Sequence, residues 1–247
     1  MTNRPQTRYR VRGGHPLQGT VFVQGAKNAA LKMIAASLLV DKGRTVLRNV
    51  PVIEDVRRAV ELAQAVGAVV KFHEAERTLV VDASRLTSSV LPAEIAQHFR
   101  ASVVFVPALL HRLGEATIEG IGGCNLGTRD LDFHYRGFAR LGARVDEGDA
   151  TIRIKADRGL RGAHLYLDTP SHTGTENLIM AASLAPGTTV IDNTAMEPEV
   201  LDVIAFLAKM GADISGGELS LVGASLDHFG VVRWKLEQMG VEFSTHG

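Results

Sequence analysis

The chain has 247 residues, 45% apolar and 22% charged, and its 27 basic and 27 acidic side chains balance to zero net charge. These are globular proportions and exclude a disordered chain, which carries far fewer apolar residues. No segment holds a basic stripe, so a nucleic-acid surface, which needs clustered Lys and Arg against phosphates, is not expected.

The length allows one large or two small domains, and with aromatics at 5% the core must be aliphatic. Residues 1–10 are polar and lead into no apolar h-region of a secretory signal. The longest apolar runs, such as 103–110, are too short to span a bilayer. A cytoplasmic protein with no membrane contact is expected.

In chain order, Thr20 to Val23 reads as a strand, and Asn28 to Leu39 as an Ala- and Leu-rich helix. Thr45 to Arg48 is a second strand. An amphipathic helix from Val56 ends at Gly67 and is followed by the β-prone runs Val69 to Phe72 and Thr78 to Asp82. The same order returns twice. A helix over Arg100 to Leu110 leads to a strand at Ala116 to Glu119, a helix from Tyr135 ending at Gly142, and strands at Arg144–Val145 and Ala150 to Ile154. A helix over Glu176 to Leu184 leads to a strand at Thr188 to Asp192, a helix from Val200 ending at Gly211, and a strand at Asp213 to Ser215.

The Gly-Ala pairs that close the amphipathic helices, at 67, 142 and 211, lie about 70 residues apart, the mark of an internal repeat with a left-handed glycine cap. A fourth such mark, Gly240-Val241, closes a helix over Phe229 to Met239 only about 30 residues after the third. The first half of that fourth unit is absent. The repeat rule therefore places an internal loss of roughly 40 residues near Leu221 to His228. Strands alternating with helices make the fold class α/β.

Four places carry chemistry. The stretch GAKNAAL at 25–31 puts Lys27 and Asn28 at a helix start, where backbone N–H groups and the helix dipole favour an anion. On spacing alone, an ordinary cap with a solvated lysine is the simpler reading. Arg100 opens the helix of the second repeat, and Thr173 and its neighbours open that of the third, so three helix starts of similar character are expected to converge on one crevice. The glycine-rich loop 120–130 carries the single cysteine, Cys124, with Arg129 and His134 near in sequence, a setting that can lower a thiol pKa. A lone cysteine forms no internal disulfide and suits a reducing compartment, and with no spaced partner it is a poor metal ligand. Glu197 and Glu199 read as a solvated acidic helix start.

In this order and spacing, GAKNAAL at 25–31, RAS at 100–102, GGCNLGTR at 122–129, PSHTGTEN at 170–177 and EPEVLD at 197–202 resemble the enolpyruvyl transferase family, in its branch that uses a UDP-sugar. The Gly-Gly-Cys loop and the Thr-Glu-Asn stretch set it apart from the branch that uses 3-phosphoshikimate. The resemblance implies an inside-out α/β barrel domain built from repeated α/β units, with only part of a second domain. Residues 23–222 would be the first domain, of three repeats, and 9–22 with 223–247 a remnant of the second.

The implied reaction transfers the enolpyruvyl group of phosphoenolpyruvate to the 3′-hydroxyl of UDP-N-acetylglucosamine, the first committed step of peptidoglycan synthesis, with no metal or organic cofactor. By the resemblance, Cys124 is the general acid and the target of fosfomycin. Lys27 and Asn28 contact phosphoenolpyruvate, and Arg129 contacts its phosphate or carboxylate. Arg100 and Arg129, Asp130, Leu131, Asp132 and Phe133 contact the UDP-sugar, while Asp168, Ser171, His172 and Thr173 line its uridine and diphosphate end. Two positions depart from the family: Ser171-His172-Thr173 stands for Ser-Val-Gly, and Asp130 for a common proline. The second domain, which supplies further arginines and an aspartate near the sugar hydroxyl, is largely missing. An inactive fragment or paralogue that binds UDP-sugar weakly, or an interaction module, is the alternative. Self-association through the uncovered interdomain face is expected.

Overall fold

The computed structural model describes residues 10–14, 16, 18–97, 99–120 and 132–212, with Arg100 described in its backbone only. Repeat one runs α1 (Lys27–Ser37), β1 (Thr45–Leu47), α2 (Glu54–Ala65), β2 (Val69–His73) and β3 (Thr78–Asp82). Repeat two begins with β4 (Val90–Leu91) and the short α3 (Ala93–Ala96). A 3-10 segment (Arg100–Phe105) continues into α4 (Val106–Leu113), followed by β5 (Glu115–Glu119), α5 (Asp132–Arg140), β6 (Arg144–Glu147) and β7 (Thr151–Lys155). Repeat three holds β8 (His164–Tyr166), α6 (His172–Ala182), β9 (Val190–Asp192) and α7 (Pro198–Lys209).

Each repeat owns one small sheet, in the orders β1-β3-β2, β4-β5-β7-β6 and β8-β9. The hairpins are antiparallel, with Val70 opposite Val81 and Val145 opposite Ile154, whereas β4 pairs parallel with β5 and β8 parallel with β9. The helices divide by burial. On α2 only the stripe Val56, Ala59, Leu62 and Ala63 is buried, as for a helix with one face to solvent. On α1 and α6, eight of the eleven residues are buried in each, so these helices lie inside. Both α1 and α6 pack on the 3-10 segment and on each other, α6 also packs on α4, and the three sheets flank this helical interior. The expected inside-out arrangement is therefore present.

Backbone conformation repeats with the sequence. Gly67, Gly142 and Gly211, which end the outer helices, have φ of 106°, 101° and 95°, in the left-handed region where a Cβ is costly. A second set was not foreseen. Asn49, Gly120 and Asn193 follow the strands β1, β5 and β9 with φ of 58°, 78° and 54°. Asparagine is the non-glycine residue that tolerates this region best, which hides the equivalence from a search for glycines.

Several elements differ from expectation. Thr20 to Val23 joins no ladder among the described residues, and Val21, Phe22 and Val23 are 86–88% exposed, so no described residue buries the face that would make it a strand. The second interior helix is α-helical only from Val106. Pro107 has no N–H to bond the Val103 carbonyl, which instead accepts from Asn177 Nδ2 at 3.3 Å and closes a 3-10 bond with Val106 N. The third starts at His172 because Ser171 Oγ caps it, accepting from Gly174 N at 3.1 Å. β4, α3 and β8 are too short to show a period. The expected strand at 213–215 and helix at 229–239 lie outside the described residues.

Candidate functional site

The start of α1 follows from a close backbone approach. A Cβ at Gly25 would sit 1.9 Å from the Asn49 carbonyl oxygen, so only glycine lets the chain pass there and turn into the helix. Lys27, the first residue of α1, is half exposed, and its Nζ lies 2.9 Å from Asp55 Oδ2 on α2. Asn28 beside it is half-buried.

A second group gathers at the starts of α5 and α6. Asp132 opens α5 exposed. The Phe133 ring lies over Gly174 so closely that a Cβ there would come within 2.8 Å of it. Asp168 pairs with Arg136 of α5, joining the approach to α6 to the outer helix. Ser171 caps α6, and His172 and Thr173 in its first turn are half-buried. Asp132, Phe133, Asp168, Ser171, His172 and Thr173 are thus brought to one place. Arg100 begins the 3-10 segment that packs on α1 and α6. Cys124, Arg129, Asp130 and Leu131 lie outside the described residues.

Between these groups runs a buried polar core that sequence reasoning missed. Lys32 Nζ of α1 and Glu176 Oε2 of α6 meet at 2.8 Å, with side chains 4% and 0% exposed. Glu176 Oε1 faces His172 Nε2 at 3.5 Å. Burial pushes the Glu176 carboxyl up to about 7 against the opposing pull of Lys32, with Glu197 and Glu199 adding to the rise. His172 is held below its usual pKa by burial and then by Lys32, against the opposing Glu197 and Glu199. Asn177 Nδ2 also lies 3.0 Å from His134 Nδ1, and burial lowers the His134 pKa to about 4, so this imidazole is neutral near pH 7. A lysine inside an otherwise apolar helical run, and a Glu-Asn pair entering one, were the available signals.

A cavity of about 670 Å3 opens elsewhere, between α1, β1 and α7, lined by Met33, Arg44, Val46, Phe206 and Lys209 among others. It borders the candidate stretches through Gly25, Ala26, Ala29 and Ala30 of 25–31 and through Asp202 of 197–202, and includes none of the candidate site residues themselves. Among the described residues no group of His, Cys, Asp or Glu is placed to hold a metal ion, and no helix is long and apolar enough to cross a membrane. What the geometry offers is two groups of polar side chains, one at the start of α1 and one at the starts of α5 and α6, with α1 and α6 tied beneath by a buried ion pair.

A family model described as EPSP synthase (3-phosphoshikimate 1-carboxyvinyltransferase) matches residues 11–223. The chain is 60% identical to UDP-N-acetylglucosamine 1-carboxyvinyltransferase of Thermobifida fusca, over 98% of this chain and 66% of that protein. It is 45% identical to UDP-N-acetylglucosamine 1-carboxyvinyltransferase 1 of Symbiobacterium thermophilum, over 89% of this chain and 50% of that protein. The chain thus spans between half and two thirds of the length of these relatives. Among solved structures, the enolpyruvyl transferase NikO from Streptomyces tendae superposes with a TM-score of 0.68 at 23% identity, covering 81% of this chain and 46% of that one. An EPSP synthase from Acinetobacter baumannii does so with 0.55 at 16%, covering 73% and 41%.

Proposed function

Since the chain belongs to the EPSP synthase family of enolpyruvyl transferases, we propose that it acts in enolpyruvyl transfer from phosphoenolpyruvate to the 3′-hydroxyl of UDP-N-acetylglucosamine, in peptidoglycan synthesis. The observation that carries this reading is the 60% identity, over 98% of the chain, to a relative named for that reaction. The chemistry is addition and elimination: C3 of the enol takes a proton, the sugar hydroxyl gives up its proton as its oxygen bonds to C2, and the C2–O bond to phosphate then breaks as a C3 proton leaves, the departing phosphate balancing the hydroxyl proton.

Lys27 and Asn28 at the start of α1 take the anionic end of phosphoenolpyruvate, where the helix dipole adds to the lysine charge. Cys124 protonates C3, and Arg129 neutralises phosphate or carboxylate. Arg100, Asp130, Leu131, Asp132 and Phe133 hold the UDP-sugar, with Asp168, Ser171, His172 and Thr173 toward its uridine and diphosphate. Ser171 in this reading keeps its capping bond to Gly174 N, which leaves the first turn of α6 ordered for the ligand. Residues 23–222 form the first of the family's two domains in this proposal, and the protein works in the cytoplasm.

One observation favours a second reading, a chain that binds UDP-sugar without turnover. The alignment to the Thermobifida relative runs over 286 positions against 247 residues here, so it opens gaps of about 40 positions within this chain. The size of that gap matches the loss of roughly 40 residues that the repeat rule expects. A shortened second domain supplies fewer cations to the cleft and excludes less water.

Phosphate release from phosphoenolpyruvate decides between them. Release that requires UDP-N-acetylglucosamine and disappears in Cys124→Ala supports transfer. Binding of UDP-N-acetylglucosamine without release supports the second reading, and neither, in a folded sample, removes both.

A further inference from the structure

Lys32 is the sixth residue of α1 and Glu176 the fifth of α6. At about 1.5 Å per residue, each lies within roughly 8 Å of the start of its own helix. Those starts carry Lys27 and Asn28 on one side, and Ser171, His172 and Thr173 on the other. The two charges are enclosed, at 4% and 0% exposure, and meet at 2.8 Å. A buried ion pair tolerates little displacement, because separating the charges in a poorly polarisable interior is costly, whereas apolar side chains in the same space can slide. The second Glu176 oxygen faces His172 Nε2 at 3.5 Å, and that buried ring nitrogen has no hydrogen-bond partner among the described residues. One carboxylate therefore addresses both α1 and the first turn of α6.

We propose that Lys32 and Glu176 are positioning residues: their buried pair fixes the start of α1 against the start of α6 and orients the His172 ring, so that the groups for phosphoenolpyruvate and for the UDP-sugar stand in register. The inference rests on the function proposed above. Neither residue needs to touch a ligand. Glu197 and Glu199, at the start of α7, act by charge on both His172 and Glu176.

The test uses a pair of substitutions that separates positioning from stability. Lys32→Met with Glu176→Leu replaces the ion pair by apolar side chains of similar volume, a change that commonly leaves a fold as stable or more so. Binding of UDP-N-acetylglucosamine and of phosphoenolpyruvate to the full chain is measured by calorimetry, alongside the melting temperature. The expected result is an unchanged or higher melting temperature with affinity for both ligands reduced about tenfold or more, the loss of about one hydrogen bond to a charged ligand group. Glu176→Asp, which keeps the charge, is expected to recover part of the affinity that Glu176→Gln loses. Equal affinity in the double variant and the wild type overturns the inference and leaves the proposed function standing. A wild-type chain that is folded but binds neither ligand removes the proposed function, and this inference with it.

Discussion

Lys32 of α1 and Glu176 of α6 form an ion pair at 2.8 Å inside the helical interior, and the two partners are not equally replaceable. With Lys32→Met, the carboxyl loses its stabilising cation, and burial, which already holds it near 7, drives it to the neutral acid. A neutral buried acid with an incomplete set of hydrogen bonds costs about 1–3 kcal/mol. With Glu176→Leu, the ammonium is left alone in the same space, at a cost of about 3–5 kcal/mol. Urea denaturation at pH 7 should find Glu176→Leu the more damaging single change. The reverse order would mean that Lys32 reaches water in the variant.

The pH dependence of stability should show two opposing slopes. The Glu176 pKa is raised from 4.5 to about 7, so its contribution is full below about 4.5 and is lost as pH rises through 7. The His134 pKa is lowered from 6.5 to about 4, so its contribution is full above 6.5 and is lost as pH falls through 4. The stability of wild type relative to His134→Gln should therefore grow by up to about 3 kcal/mol from pH 4 to pH 6.5. Relative to Glu176→Gln it should shrink from pH 4.5 to pH 7. Denaturation midpoints at several pH values check both, and two slopes of the same sign would contradict the burial of one group.

Two glycines should fail for different reasons. At Gly142 the backbone is left-handed and a Cβ would meet nothing closer than 3.8 Å, so Gly142→Ala costs only the conformational strain, about 1–2 kcal/mol, and Gly142→Asn less. At Gly25 a Cβ would lie 1.9 Å from the Asn49 carbonyl oxygen, and backbone cannot step aside as a side chain can. Gly25→Ala should cost about 3 kcal/mol by overpacking, with no relief from asparagine, and should weaken phosphoenolpyruvate binding because Lys27 is two residues away. Thermal melts of the four variants test the distinction. Rescue of Gly25 by asparagine would show that the cause is conformational.

The repeat was legible because glycine caps are obligatory where an outer helix turns back to its strand, and Gly67, Gly142 and Gly211 all have positive φ. The starts of α1 and α6 were legible at Lys27 and at Thr173 and its neighbours, whereas α5 begins at Asp132, three residues before the expected Tyr135. What stayed hidden depends on contacts between distant segments. Nothing local in Val103 to Pro107 reveals that Asn177, 74 residues on, will take the carbonyl that Pro107 leaves free. Pro107 breaks the α-helical bond locally, and that distant contact satisfies the carbonyl at the end of the 3-10 segment. The pairing of Lys32 with Glu176 is of the same kind: each looks like a surface residue until both helices prove to be enclosed. Thr20 to Val23 erred the other way, having strand-like residues and no neighbour among the described residues to pair with.

Asp55 occupies Lys27 in this conformation, and that fixes what its removal should do. The pair spans 2.9 Å between side chains 51% and 45% exposed, a setting in which an ion pair contributes about 0–1 kcal/mol. Asp55→Asn should therefore leave the melting temperature nearly unchanged. It also removes one negative charge from beside the lysine at the start of α1, so an incoming phosphate no longer competes with a carboxylate for the same ammonium. Affinity for phosphoenolpyruvate should rise several-fold at low ionic strength, and the gain should shrink as salt approaches about 0.15 M, where the screening length is near 8 Å. Calorimetric titration at two salt concentrations measures both effects. A weaker affinity in Asp55→Asn would reverse the role of the carboxylate: it would then be aiming the Lys27 side chain at the ligand, and the cost of losing that aim would exceed the gain in charge.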